Sequence, residues 1–220
     1  MPTQTKENYL KALYHLQQKN SEISVTELGK EMEVSKPTVN DMVKKLQQKG
    51  WVSYEKYKPI KLTEAGEKEA CLIVRKHRLS EMFLNKVMGF GWEEVHDMAE
   101  EMEHLKSEVF FDRMDELLGF PNRDPHGSPI PDKNGNIASV QFVNMTSIDA
   151  GTKVIIKALR DSSLEFLNYL NKYDIKLGLE IEILSKEPFD KSCIVSYEGH
   201  KEQTLGHAVC NHLLVEVVNK

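Results

Sequence analysis

Apolar residues recur at helical spacing through roughly the first half of the chain and alternate toward strands in the last third. Tyr9, Leu10, Leu13, Tyr14 and Leu16 space an amphipathic helix over residues 5–18. A second helix is predicted over 24–32, with Ser24 as cap and Glu27 three residues on, the spacing of a capping box. A third opens at Lys36-Pro37 behind Ser35, with Pro37 in the first turn, where a missing N–H costs nothing. It ends at Gly50, a left-handed terminator. Trp51 to Glu55 and Ile60 to Thr63 read as short strands around the turn Lys56-Tyr57-Lys58-Pro59.

A long helix comes next, from a Thr63 cap to about Met88, with Leu72, Ile73, Leu79, Met82, Phe83 and Val87 on its apolar face. Gly89-Phe90-Gly91 breaks it. A helix from Trp92 runs through His104, and Val95, Met98, Met102, Leu105 and Val109 make a stripe spaced for burial. A further helix, Ser107 to Leu118, stops at Gly119. Three helices rich in Met and Phe suit either a dimer interface or an intramolecular bundle. Residues 119–139 hold four of the eight prolines and read as an extended connector. Strands are then predicted at Thr152–Leu159, Gly178–Leu184, Cys193–Tyr197 and Leu213–Val218. A short helix, Leu164–Leu170, is capped by Ser162 or Ser163. Five or so strands in so short a segment suggest a small barrel. The expected architecture is multi-domain, mainly α with β. It comprises a winged helix-turn-helix (1–66), a helical domain (67–140) and a small β-barrel (145–220).

Composition adds two constraints. No apolar run reaches the length of a membrane span, and the N-terminus lacks the basic and apolar regions of a signal peptide. Cys71, Cys193 and Cys210 are odd in number and widely spaced, which fits reduced thiols in a cytoplasmic protein. The net charge of −5 hides an asymmetry: residues 1–75 carry 13 Lys and Arg against 10 Asp and Glu, the rest 16 against 24. The basic excess therefore lies with the helix-turn-helix.

Two sets of residues carry chemistry. Ser35, Thr38, Asn40 and Asp41 open the third helix with short groups that reach base edges or phosphates. Lys36, Lys44 and Lys45 supply phosphate contacts, and Lys56, Lys58 and Lys61 give the wing a positive tip. Further on, His96, Glu100, Glu103 and His104 stand at i, i+4, i+7 and i+8. On a continuous helix they share about 100° of arc. Two imidazoles and two carboxylates on one face suit a first-row divalent cation; the plainer reading is a solvated polar face. A di-metal carboxylate enzyme would want a second Glu-x-x-His beside Glu101-x-x-His104, and the helical region offers none. No nucleophile–base pair or phosphate-binding loop appears elsewhere, so the chain is not read as an enzyme.

Together these residues resemble the diphtheria-toxin-repressor family of metal-dependent transcriptional regulators, and the three-domain manganese- or iron-responsive repressors most. The resemblance spans essentially the whole chain. Its marks are Glu7-Asn8-Tyr9-Leu10, Ser35-Lys36-Pro37-Thr38-Val39, Leu62-Thr63-Glu64-Ala65-Gly66, Lys76-His77-Arg78-Leu79, Val95-His96-Asp97 with Glu103-His104, and Pro125-His126-Gly127-Ser128-Pro129-Ile130-Pro131. It implies a winged helix with Ser35, Lys36, Pro37 and Thr38 at the DNA, a helical dimerisation domain and an SH3-like domain of the FeoA type. It also implies a homodimer that binds double-stranded operator DNA of metal-homeostasis genes when metal is loaded. The family's principal metal site falls on Asn8, His77, Glu100, Glu103 and His104. Asn8 departs from the usual Met or Asp, and Glu7 is a nearby substitute. Lys11 replaces a carboxylate used by the two-domain manganese regulators. An accessory site is implied at Glu81, Asp124, His126 and Asp161 (or its neighbour Glu165), with His96 matching a ligand of the iron-responsive branch. Glu100, where that branch has Cys, favours hard Mn(II) first and Fe(II) second; Zn(II) or Co(II) would substitute in vitro. The alternative is a metal-independent winged-helix regulator that answers to a small molecule.

Overall fold

The computed structural model describes residues 3–20, 22–56, 58–138 and 142–218. Ser21, Tyr57 of the wing turn, Ser139 of the connector, Val140, Gln141, and the first and last two residues lie outside them. The chain divides into two compact units. The first takes the described residues of 1–83, 97–122 and 130–138; the second takes those of 84–96, 123–129 and 139–220.

The first unit opens with α1 (Gln4–Lys19), α2 (Val25–Glu31) and α3 (Lys36–Gln48). The Ser24 hydroxyl accepts from Glu27 N–H while the Glu27 carboxylate accepts from Ser24 N–H, so the predicted capping box closes. Ser35 caps α3, with Pro37 in its first turn, and Gly50 comes just after it at φ 75°. The wing is shorter than predicted: β1 (Val52–Ser53) and β2 (Lys61–Leu62) pair antiparallel, and an isolated Ile23–Ile60 bridge widens the sheet. Leu10, Leu13, Leu28, Val43, Leu46 and Ile60 fill one core between these elements and the start of α4 (Glu64–Lys86). Each such side chain contributes about 1.5–3 kcal/mol through burial.

α4 begins where the Thr63 hydroxyl accepts from Gly66 N–H. A Cβ on Gly66 would stand 1.8 Å from the Trp51 carbonyl oxygen, so only glycine lets the helix start lie against the wing. That gives a physical reason for the Leu62-Thr63-Glu64-Ala65-Gly66 mark. The remaining helices of this region are α5 (Val95–Met102) and α6 (Glu108–Leu117). In the first unit, Leu79 of α4 packs with Phe111 and Met114 of α6 and with Ile130. Arg75 is buried beside them, donating to Asp115 at 2.5 Å and to the Pro131 carbonyl at 2.8 Å.

The second unit holds a six-stranded antiparallel sheet in the order β3-β8-β4-β5-β6-β7. Its strands are β3 (Val143–Asn144), β4 (Lys153–Leu159), β5 (Glu180–Lys186), β6 (Cys193–Tyr197), β7 (His200–Leu205) and β8 (Leu213–Val217). Alternation in β4, β5 and β6 puts Val154, Ile156, Ile181, Ile183 and Val195 inside, against α7 (Leu164–Lys172) and α8 (His207–His212). Register shifts in three of the ladders bend the sheet. The connector is less extended than predicted. Asp124 Oδ1 accepts from the N–H groups of His126 and Ser128, folding 123–129 into a loop. A Cβ on Gly127 (φ 87°) would stand 2.3 Å from the Lys157 carbonyl oxygen, so glycine lets that loop lie on β4.

Candidate metal centre and nucleic-acid interface

Three segments of the first unit meet in one polar cluster. α1 supplies Glu7, Asn8 and Lys11, within about 100° of arc. α4 supplies His77 and Glu81, one turn apart. The third segment is the body of α5 together with the turn after it, and here the structure corrects the predicted helix. α5 ends at Met102, so Glu103 and His104 occupy that turn rather than two more positions on the helix. The Glu103 N–H still reaches the Ala99 carbonyl, but Leu105 N–H turns to Met102 O, and Ser107 caps a new helix. The burial stripe fails with it: Leu105 and Val109 are exposed, and the buried line is Val95, Ala99 and Glu103.

Glu103 is the centre of the cluster, with no exposed surface. Its Oε2 accepts from Lys11 Nζ at 2.7 Å and from His77 Nδ1 at 2.7 Å. His77 Nε2 faces Glu81 Oε1 at 3.1 Å, and Lys11 also donates to Glu100 Oε1. Glu7 Oε2 lies 2.6 Å from His104 Nδ1. Burial opposes a charge on His77, but hydrogen bonds to Glu103 and Glu81 overcome it and raise its pKa from 6.5 to about 9. Among the described residues, two carbonyl-type oxygens are buried without a hydrogen-bond donor: Glu103 Oε1, and Asn8 Oδ1 on α1. An acceptor left so costs about 1–3 kcal/mol. A donor set of hard carboxylate oxygens and imidazoles, as Glu103, Glu100, His77 and His104 offer, fits a divalent cation. His104 Nε2 lies 3.7 Å from Glu103 Oε1, and its Nδ1 is already held by Glu7, as a ligating imidazole's second nitrogen usually is.

The remaining predicted ligands divide between the units. Glu81 belongs to the first, engaged with His77. Asp124, His126, Asp161 and His96 belong to the second. There His126 Nε2 donates to the Trp92 carbonyl at 2.9 Å and the ring stacks on Trp92. Asp161 accepts from Ser163 N–H and hydroxyl, whereas Glu165 is exposed on the first turn of α7. His96 is exposed on the first turn of α5. In the sequence Lys11 stands out only as a departure and Glu7 only as a substitute, yet both make bonds in the cluster. Their place on the apolar inner face of α1 is the signal that points to them.

Five of the residues predicted to contact DNA line an open groove of about 1040 Å³ between α2, α3 and the wing. Lys36, Asn40 and Lys44 come from α3, and Lys56 and Lys58 from the wing. Thr38, Asp41 and Lys45 are exposed on α3, and the Thr38 hydroxyl lies 2.9 Å from Ser35 Oγ. Asn40 is half-buried, and its side-chain oxygen accepts from the Tyr54 hydroxyl at 3.0 Å. Gln47 donates to the Tyr54 carbonyl, so Tyr54 fastens wing to α3, a role sequence reasoning misses. Lys58 is paired with Glu55 at 2.6 Å, an exposed bridge.

A winged helix with a basic groove, joined through α1 to a buried carboxylate–imidazole cluster, defines a metal-responsive DNA-binding regulator. Comparison with known proteins agrees along the chain. "Iron dependent repressor, N-terminal DNA binding domain" matches residues 1–60, "Iron dependent repressor, metal binding and dimerisation domain" 63–132, and "FeoA domain" 143–217. The diphtheria toxin repressor of Corynebacterium diphtheriae is 30% identical over 193 residues, 83% of this chain and 85% of that one. The iron-dependent repressor IdeR of Mycobacterium leprae is 27% identical, covering 97% of each. Among solved structures, a manganese-dependent transcriptional repressor in complex with manganese superposes with a TM-score of 0.85 at 30% identity. It covers 97% of this chain and 100% of its own. ScaR with bound Cd2+ gives 0.81 at 31%, covering 99% and 100%.

The chain belongs to the diphtheria-toxin-repressor family of metal-dependent transcriptional repressors. It is a metal-sensing, DNA-binding repressor with an SH3-like FeoA domain, from a family of regulators rather than enzymes. Nothing in these comparisons supports the metal-independent alternative. Among the described residues no helix is long and apolar enough to cross a membrane.

Proposed function

We propose that this repressor senses Mn(II) first and Fe(II) second through Asn8, His77, Glu100, Glu103 and His104, and then grips operator DNA as a cytoplasmic homodimer controlling metal-homeostasis genes. The observation that carries this reading is the buried Glu103 Oε1, left without a donor while Glu103 Oε2 holds His77 and Lys11 and His104 Nε2 stands 3.7 Å away; Asn8 Oδ1, on the helix that supplies Lys11, is a second buried oxygen without a donor. A bound cation supplies positive charge shared by side chains from three segments. The donor set holds carboxylates and an amide where a softer site would hold a thiolate, which supports Mn(II) over Zn(II) or Co(II) as the physiological ion. The accessory set Glu81, Asp124, His126 and Asp161, with His96, is the second part of the same reading.

The chain's own residues explain why such a site reaches DNA. Asn8 lies on α1, whose Leu10 and Leu13 are buried in the same core as Val43 and Leu46 of the recognition helix. Holding Asn8 against the α5 turn therefore holds α3. Two recognition helices must stand about 34 Å apart to enter successive major grooves. A helix face with Val109 and Leu117 exposed, next to exposed Phe120, supports α6 as the surface joining two copies. Only the difference in metal affinity between competent and incompetent arrangements drives DNA binding, about 5–150-fold for a coupling of roughly 1–3 kcal/mol.

The test begins with duplexes enriched from a random pool by the protein in Mn(II). Fluorescence anisotropy then measures affinity with and without Mn(II), for the native chain and Glu103→Ala. The expected result is tight binding only for the native chain with Mn(II). Equal affinities in all four measurements would sink the reading.

A further inference from the structure

We propose that Lys11 is a built-in competitor of the metal: its ammonium claims the carboxylates of Glu100 and Glu103 and so sets the concentration at which the site fills. The inference rests on the principal site proposed above.

Lys11 is buried on the inner face of α1, and its ammonium donates to Glu103 Oε2 at 2.7 Å and to Glu100 Oε1. A lysine is seldom buried unless paired, and here both its partners belong to the proposed ligand set. The bridge is also asymmetric. On Glu103 one oxygen carries two donors, Lys11 and His77, while the other carries none. Glu100 is the more exposed partner, with its side chain 35% accessible against 0% for Glu103. Glu103 can therefore offer Oε1 to a cation while Oε2 stays paired, but Glu100 gives its bonded oxygen to a cation only by releasing Lys11. The ammonium and a divalent ion bid for the same negative charge, and each weakens the hold of the other by the same factor. Four carboxylates (Glu7, Glu81, Glu100 and Glu103) ring two imidazoles here, so some cation is required. Lys11 supplies one from within the chain, and weak ions must outbid it.

Mn(II) binding to the full chain, followed by the electron paramagnetic resonance signal of free Mn(II), reads affinity without DNA. Lys11→Met, of similar length and uncharged, is expected to bind Mn(II) at least about tenfold more tightly than the native chain. Lys11→Gln should shift the same way, and Lys11→Arg, which keeps the charge, should not tighten binding. A second signature is a larger Mn(II)-induced rise in melting temperature for Lys11→Met than for the native chain. Unchanged or weaker Mn(II) binding in both Lys11→Met and Lys11→Gln overturns the proposal. Glu103→Ala separates the two readings: if it binds Mn(II) as the native chain does, the assigned site is wrong and the proposal falls with it. If it loses binding, the site stands and the Lys11 variants alone decide.

Discussion

Within one turn of α4 the protein buries two ionic groups that are satisfied to different degrees. Arg75 faces Asp115 and the Pro131 carbonyl, and the carboxylate and guanidinium close a pair. Two residues on, His77 faces Glu103 and Glu81 in a cluster with acceptors to spare and a lysine spanning two acids. The first arrangement locks three segments and asks for nothing more. The second keeps a buried carboxylate oxygen, Glu103 Oε1, without a donor and distributes its cations among competing partners. A closed ionic group reads as structure; an over-supplied one reads as a place where something exchanges.

The comparison breaks most visibly at Arg75. Arg75→Met strands the Asp115 carboxylate, and breaking such a pair costs about 3–5 kcal/mol. Replacing both members, as Arg75→Met with Asp115→Leu, should recover most of that loss in denaturant melts. Mn(II) affinity, measured on the folded fraction, should stay within about twofold in either variant; a large loss would mean the two groups are one system. Next in size is Glu7→Ala. It removes the carboxylate that holds His104 Nδ1 and should weaken Mn(II) binding about 10–100-fold, the usual cost of losing such a support. Titration calorimetry showing native affinity would deny Glu7 that role.

The smallest effect concerns pH. Unlike His77, His15 is pushed down to about 3, by burial first and then by the positive charges of Arg78, Lys11, His77 and Lys19. The unfolded chain takes up a proton near pH 6.5 that the folded chain refuses, so this residue costs stability as pH falls from about 6.5 toward 3. Between pH 7 and about 5.7 the loss is on the order of 1 kcal/mol, or about 2–4 °C in melting temperature. His15→Asn should flatten that slope; an unchanged slope would assign the acid sensitivity elsewhere.

Local signals are legible in the sequence. Ser24 with Glu27, Ser35 with Pro37, Thr63 and Ser107 each start a helix where capping chemistry says they should. The limits are equally physical. Periodicity carries a helix past its true end, because it cannot weigh the Ser107 cap that starts the next one; hence it assigns Glu103 and His104 to α5. It passes over β7 because His200–Leu205 is a largely exposed edge strand without apolar alternation. The Asp124 turn is hidden by prolines that read as extension. The cluster's composition is accessible through resemblance, but its bonds are not. Lys11 meets Glu100 and Glu103 across 89 and 92 residues, and Glu7 meets His104 across 97. No local pattern encodes those separations.

The missing Cβ at Gly66 has a mechanical meaning. With the Trp51 carbonyl where a side chain would stand, α4 is seated on the wing with no compressible layer between them. The same helix carries His77 eleven residues on, about 16 Å along its axis. α4 is therefore a stiff lever with the wing at its short end. A tilt of about 5° imposed at His77 moves the seated end by about 1.4 Å, half the length of a hydrogen bond to a phosphate. A β-carbon at position 66 would put a spacer at that seat, and the wing would follow the lever with play.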